Sequence, residues 1–147
     1  MNGSELIERY AAGERNFSGI HLVGVNLSHI DLSHADFSRA LLTEVSLQGA
    51  FLCGADLSYV TMEAVDLSQA DLTRANLTGA FLAKATLINT EMSGAILLGS
   101  NLHAADLRHS SLHGADLTQA DLSEAVLTDA DLSRATLSGA NLRGIRL

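Results

Sequence analysis

The chain has 147 residues, a formal net charge of −8, one cysteine and no proline. That length bounds it to a single domain, and the lone Cys53 excludes an internal disulfide while being compatible with a reducing compartment. Mean hydropathy is +0.20, yet no apolar run approaches the ~20 residues of a membrane span, and the first residues lack the basic start and apolar core of a secretion signal, so a cytoplasmic chain with no membrane partner is expected.

Residues 1–15 form the first predicted element, a short helix. Ser4 can cap it, Glu5 sits in its first turn and Gly13 follows its end. Leu6, Ile7, Tyr10 and Ala11 lie on one side of it. The second predicted element is the remainder, residues 16–147, and it obeys one rule. From Phe17 to Leu147 every fifth residue is large and apolar; the 27 occupants are 23 Leu plus Phe17, Phe37, Met62 and Met92. Two residues earlier lies a second filtered position, from Ile20 to Ile145, held by 16 Ala, four Val, three Ile, two Ser and one Thr. A step of five scatters residues around a helix and alternates them across the faces of a strand. A continuous apolar face therefore requires a short unit of fixed geometry, repeated and stacked.

The stretch Gly114 to Leu132, GADLTQADLSEAVLTDADL, contains the units ADLTQ, ADLSE and AVLTD. Over about nine-tenths of its length the chain resembles the pentapeptide-repeat family. That resemblance implies an all-β solenoid, a right-handed quadrilateral (four-sided) β-helix. Four units make one coil of twenty residues, with the large and the small residue inward. With its helical N-terminus the chain is similar to small cyanobacterial members, most of which have no assigned role. Elementary packing agrees. A narrow interior fills only if large and small side chains alternate, and stacked coils need every backbone N–H, which proline lacks. At a coil spacing of about 4.8 Å, nearly seven coils make a rod of roughly 32 Å.

Solenoid ends expose core and unpaired backbone. The helix of residues 1–15 is expected to cover the first coil. At the far end Leu147 is an inward position with no helix beyond it. Arg143 and Arg146 flank it as gatekeepers against edge pairing, and that uncapped coil is a candidate surface for self-association.

Some members of the family are acidic rods that imitate duplex DNA and bind DNA gyrase, so the placement of charge matters. Nine of the ten aspartates (31, 36, 56, 66, 71, 106, 116, 121 and 131) precede a central residue. Acidity is thus mostly a product of the repeat formula. Residues twenty apart should stack, and like charges at ~5 Å repel by about 1 kcal/mol even in water. Only Asp36 and Asp56 stack among these aspartates, and Asp71 meets Glu91. A phosphate mimic would instead stack carboxylates in long stripes. Gyrase binding is accordingly the alternative reading, and a nucleic-acid partner is not expected.

Sites for chemistry are absent from the pattern. No phosphate cradle or metal-spaced Cys/His set occurs, and His29 and His109 share a column four coils apart, about 19 Å. The run RHSSLH lacks the converging groups of a triad. Cys53 should face outward between Ser33 and Thr73. Neither enzyme, metal nor cofactor is expected. One departure stands out: Leu41, Tyr59, Phe81 and Leu98 fall near one corner in successive coils, with Ile96 beside them. This stripe of roughly 14 Å suggests a contact surface for an unknown protein partner, or for a homodimer. The expected role is a non-catalytic protein-interaction or structural module.

Overall fold

A computed structural model describes all 147 residues. From Asn16 onward each five-residue unit repeats one path. Two turn residues follow the central residue, and the second of them has φ between +54° and +68° in every unit from Gly19 to Gly144. The next N–H donates back to the central carbonyl, as from Ala35 to Leu32 at 3.2 Å. Positive φ at the third residue of such a turn is the type II signature. Glycine occupies ten of these positions and other residues the remaining sixteen.

Four turns close one coil. Parallel bridges join each residue before a central one to its equivalent twenty residues on, from Asn16↔Asp36 to Val126↔Arg146. The coils are held by N–H groups pointing both ways along the rod. Leu32 donates to the Phe51 carbonyl (2.8 Å), His34 to Cys53 (3.0 Å) and Phe51 back to Ile30 (2.9 Å). The result is a right-handed four-sided β-helix, as the resemblance implied. Only β1 (His21–Val23) and β2 (Leu41–Thr43) lengthen into three-residue strands, paired in parallel. At the corners that follow them, the turn hydrogen bonds from the Val25 and Val45 N–H groups to Leu22 and Leu42 are missing.

Every central residue from Phe17 to Leu127 is buried, and the small inward positions between Ala35 and Ala125 are buried with them. Three of those small positions are polar. The Thr90 and Ser110 hydroxyls donate to the carbonyls of Leu87 and Leu107 (2.8 and 2.7 Å), whereas Ser100 Oγ is buried without a partner. No helix is long and apolar enough to cross a membrane.

The helix α1 (Gly3–Ala11) covers the first coil, but its details differ from the sequence reading. Its cap is Asn2, whose side chain accepts from Glu5 N–H at 2.8 Å; Ser4 is already helical. Its packed face is Gly3, Leu6 and Tyr10, spaced three and four apart as neighbours on a helix must be. Leu6 is fully buried, and a Cβ on Gly3 would lie 2.6 Å from Val25 Cγ1. Tyr10 Oη donates to the Ser33 carbonyl at 3.0 Å. Ile7 and Ala11 are exposed rather than inward, because the coil end is met by one narrow row of the helix. Beneath it the Phe17 and Phe37 rings stack at 5.5 Å. At the opposite end burial fades from Ala130 onward, and Leu147 is 82% exposed.

A candidate protein-contact face

The outward residue of each side is the one before the central leucine. Where it is Asp or Asn, its side-chain oxygen accepts from the N–H two residues later, as from Ser33 to Asp31 (2.9 Å), Ser58 to Asp56 (2.9 Å) and Thr78 to Asn76 (3.1 Å). Such local side-chain turns are what Asx residues do best. Donors at the turn hold several carboxyls below the ordinary range: the Ser33 N–H at Asp31, the Thr118 hydroxyl and N–H at Asp116, and those of Ser123 and Ser133 at Asp121 and Asp131. At Asp106 the Arg108 guanidinium does most of this. The acidic formula is therefore turn chemistry. The bridges also place Asp36 against Asp56 and Asp71 against Glu91, as the four-sided count required.

Polar clusters on the rod do not converge on a reacting atom. His103 Nδ1 lies 2.9 Å from Ser123 Oγ, and that hydroxyl is 2.6 Å from Asp121. The carboxylate thus binds the serine instead of orienting the imidazole, the reverse of a hydrolytic relay. His109 Nδ1 stands 3.5 Å from Asp129. Cys53 is half-buried.

One side departs from this chemistry. Bridges set Leu41, Thr61 and Phe81 in one column. Phe81 and Tyr59 are each 51% exposed, and Leu98 and Ile96 are exposed as well; Leu41 is half-buried. Thr61 separates Leu41 from Phe81, so the stripe is two knobs on the side with Tyr59 and Leu98 on the corner beside them. The Tyr59 ring lies over Gly79, where a Cβ would meet its Cε1 at 2.5 Å, and the Arg39 guanidinium sits 5.4 Å from its centroid. A shallow groove of about 400 Å³ runs along the other edge, lined by Leu41, Thr61, Glu63, Ala64 and Lys84 among others. Among the other exposed apolar residues, Val23 follows the central Leu22 in the first coil of this side, and Phe51 stands on a different side, between Asp31 and Asp71 in its column. Phe51 was legible in principle, since it replaces Asp at the same unit position as Leu41 and Phe81.

Against known proteins, a family model described as pentapeptide repeats matches residues 20–58, 66–103, 87–123 and 110–147. Among solved structures, the chain is similar to the pentapeptide-repeat protein Rfr23 of the cyanobacterium Cyanothece 51142. The TM-score is 0.65 at 23% identity, with 97% of each chain covered. It is also similar to a pentapeptide-repeat protein of the Arabidopsis thaliana thylakoid lumen, at 30% identity and TM-score 0.54, over 70% of this chain and 68% of that one. Full-length QnrB1, a plasmid-mediated fluoroquinolone resistance protein, matches at 17% identity and TM-score 0.49, over 89% and 85%. No curated protein matches.

Proposed function

The chain belongs to the pentapeptide-repeat family, and from that premise we propose that it is a non-catalytic interaction module that offers one apolar side of its rod to a protein partner. The observation that carries this reading is the contrast between the middle coils of this side and the rest of the rod, Asn101 and Asp121 farther along the same side being tied into turns like the others. Asp and Asn of the ordinary units are tied into turns, whereas Leu41, Tyr59, Phe81 and Leu98 leave an apolar surface with aromatic anchors, the composition of binding hot spots. A soluble chain rarely keeps such a patch without use for it.

The alternative is a DNA mimic that binds gyrase. The carboxylate arrangement speaks against it, because the columns are interrupted by Phe51, Ile96, Val126 and several Ser, Thr and Asn. The resemblance to QnrB1 is too distant to support it.

Two assays separate the readings. The immobilised native chain should retain a protein from cell extract that Phe81→Ser and Tyr59→Ser do not retain, with all three melting alike. Equal retention by the variants would refute the apolar side as the contact. In a supercoiling assay, gyrase should be unaffected at stoichiometric protein; inhibition or drug protection would favour the mimic.

A further inference from the structure

We propose that the apolar side pairs with the same side of a second copy, antiparallel, about a two-fold axis midway between the coils that carry Thr61 and Phe81. This rests on the preceding reading that the side is a protein contact, and it names the partner. The argument is complementarity of size and charge across the whole side.

Each coil contributes one outward residue to this side and one left-handed turn residue to each flanking corner. The three columns are read from the twenty-residue register. On the side stand His21, Leu41, Thr61, Phe81, Asn101 and Asp121. One corner runs Gly24, Glu44, Ala64, Lys84, Ala104 and Glu124. The other runs Gly19, Arg39, Tyr59, Gly79, Gly99 and Gln119. A half-turn about the stated axis reverses each column against itself, as an isologous contact must.

At all six corner levels the reversal sets a small residue against a large one. Gly24 meets the partner's Glu124, Ala104 the partner's Glu44, and Ala64 the partner's Lys84. On the other corner Gly19 meets the partner's Gln119, Gly99 the partner's Arg39, and Gly79 the partner's Tyr59. Gly19, Gly24 and Gly99 are open, with nothing within 4 Å of where a Cβ would be. Gly79 is covered by its own Tyr59 ring, so the two Tyr59 rings meet across the axis. On the side itself Thr61 receives the partner's Phe81. The groove bordered by Thr61 and Ala64 is where the partner's Phe81 and the partner's Lys84 arrive.

Charge follows the same register. Glu63 stands in the coil that meets the partner's Lys84, His21 faces the partner's Asp121, and each pair occurs twice. Neighbouring registers lose this. With the axis on Thr61, Leu41 meets the partner's Phe81, large against large. With the axis on Phe81, Lys84 meets the partner's Lys84. Four sides and two ends share 6777 Å² of accessible surface, so one side exceeds the ~800 Å² each partner gives to a standard interface.

Sedimentation velocity from micromolar to millimolar protein is expected to show a reversible dimer. Phe81→Ser should weaken it by about tenfold or more, as loss of a central aromatic anchor does, without lowering the melting temperature at concentrations where the native chain is monomeric. Glu63→Lys and Lys84→Glu should each weaken it, and the double exchange should restore it to within about twofold of native, because the ion pair is re-formed. The register is read by cross-linking in a Cys53→Ser background. Leu41→Cys with Asn101→Cys should give a covalent dimer with a short bifunctional thiol cross-linker, since the partner's Asn101 opposes Leu41 across sides packed about 10 Å apart. Within one chain those positions are three coils apart, about 14 Å. A clean monomer through the millimolar range would overturn the inference while leaving the side free for another protein. A dimer indifferent to Phe81→Ser would overturn both the inference and the apolar side as its contact. Cross-linking by Leu41→Cys alone would refute the antiparallel register.

Discussion

Ser100→Ala should stabilise the protein. Ser100 occupies a small inward position that is alanine in most units, and its hydroxyl is buried with no hydrogen-bond partner. A desolvated, unpaired hydroxyl costs about 1–3 kcal/mol. Removing it leaves a void no larger than one oxygen, so the net gain is about 1 kcal/mol. For a chain of 147 residues that corresponds to a rise in melting temperature of about 2–4 °C. Ser110→Ala is the internal control. Its hydroxyl donates to the Leu107 carbonyl, which also accepts the Ser110 N–H at 3.1 Å. The carbonyl stays satisfied, and the loss should be about 1 kcal/mol or less. Equilibrium urea unfolding followed by circular dichroism, with a calorimetric scan of each variant, measures both. The expected order is Ser100→Ala above native and native at or above Ser110→Ala. Ser100→Ala falling below native would refute the claim that the interior charges a penalty for every unpaired polar atom.

Other perturbations separate inward from outward. Leu77→Ala, at a fully buried position, should cost about 2–5 kcal/mol in the same unfolding assay, whereas Thr78→Ala on the adjoining corner should change stability by less than about 0.5 kcal/mol; equal effects would sink the assignment. Leu6→Ala should loosen the helical cover first, raising amide exchange in α1 and the first coil while leaving coils near Leu97 protected. Acid should act through the turn carboxyls. Asp31, Asp106, Asp116, Asp121 and Asp131 have folded pKa values depressed below 3.8. Their contribution is complete above the unfolded value, near pH 4, and is lost as pH falls through the lower folded values. The melting temperature should hold from neutral pH to about pH 5 and decline below about pH 4. Asp121→Asn, which keeps the acceptor but loses the charge, should lower neutral-pH stability modestly and flatten that decline.

The fold was legible because the interior admits only one large and one small side chain per unit, so the period survives every other substitution. The acidic formula was visible as a pattern, and the structure supplies its cause in the carboxylate-to-N–H turn. Backbone conformation was not readable at the same level. Sixteen residues other than glycine take positive φ, including Tyr59, Ala64 and Lys84. At each of them stacking with the neighbouring coils overrides a local preference of about 1–2 kcal/mol. The helix lies where the sequence places it, but its cap is Asn2 and not Ser4, since Ser and Asn cap equally well and the sequence alone does not choose between them. The apolar stripe was visible as a set of departures. Thr61 between Leu41 and Phe81 follows from the same twenty-residue register, whereas the placing of the Tyr59 ring over Gly79 could not be read from it.

The unbroken register gives every residue a compass bearing as well as a height. Twenty residues added or removed between turns shorten or lengthen the rod and leave all bearings as they were. Five residues do something different: they swing everything downstream through a quarter of a circle while the core still closes. Placed between Thr61 and Phe81, such a change would carry Phe81 off to the adjacent side without unfolding a single coil. Lineages of this chain can therefore vary in length by whole coils and keep their surface pattern, whereas single-unit gains and losses redraw which residues look in the same direction.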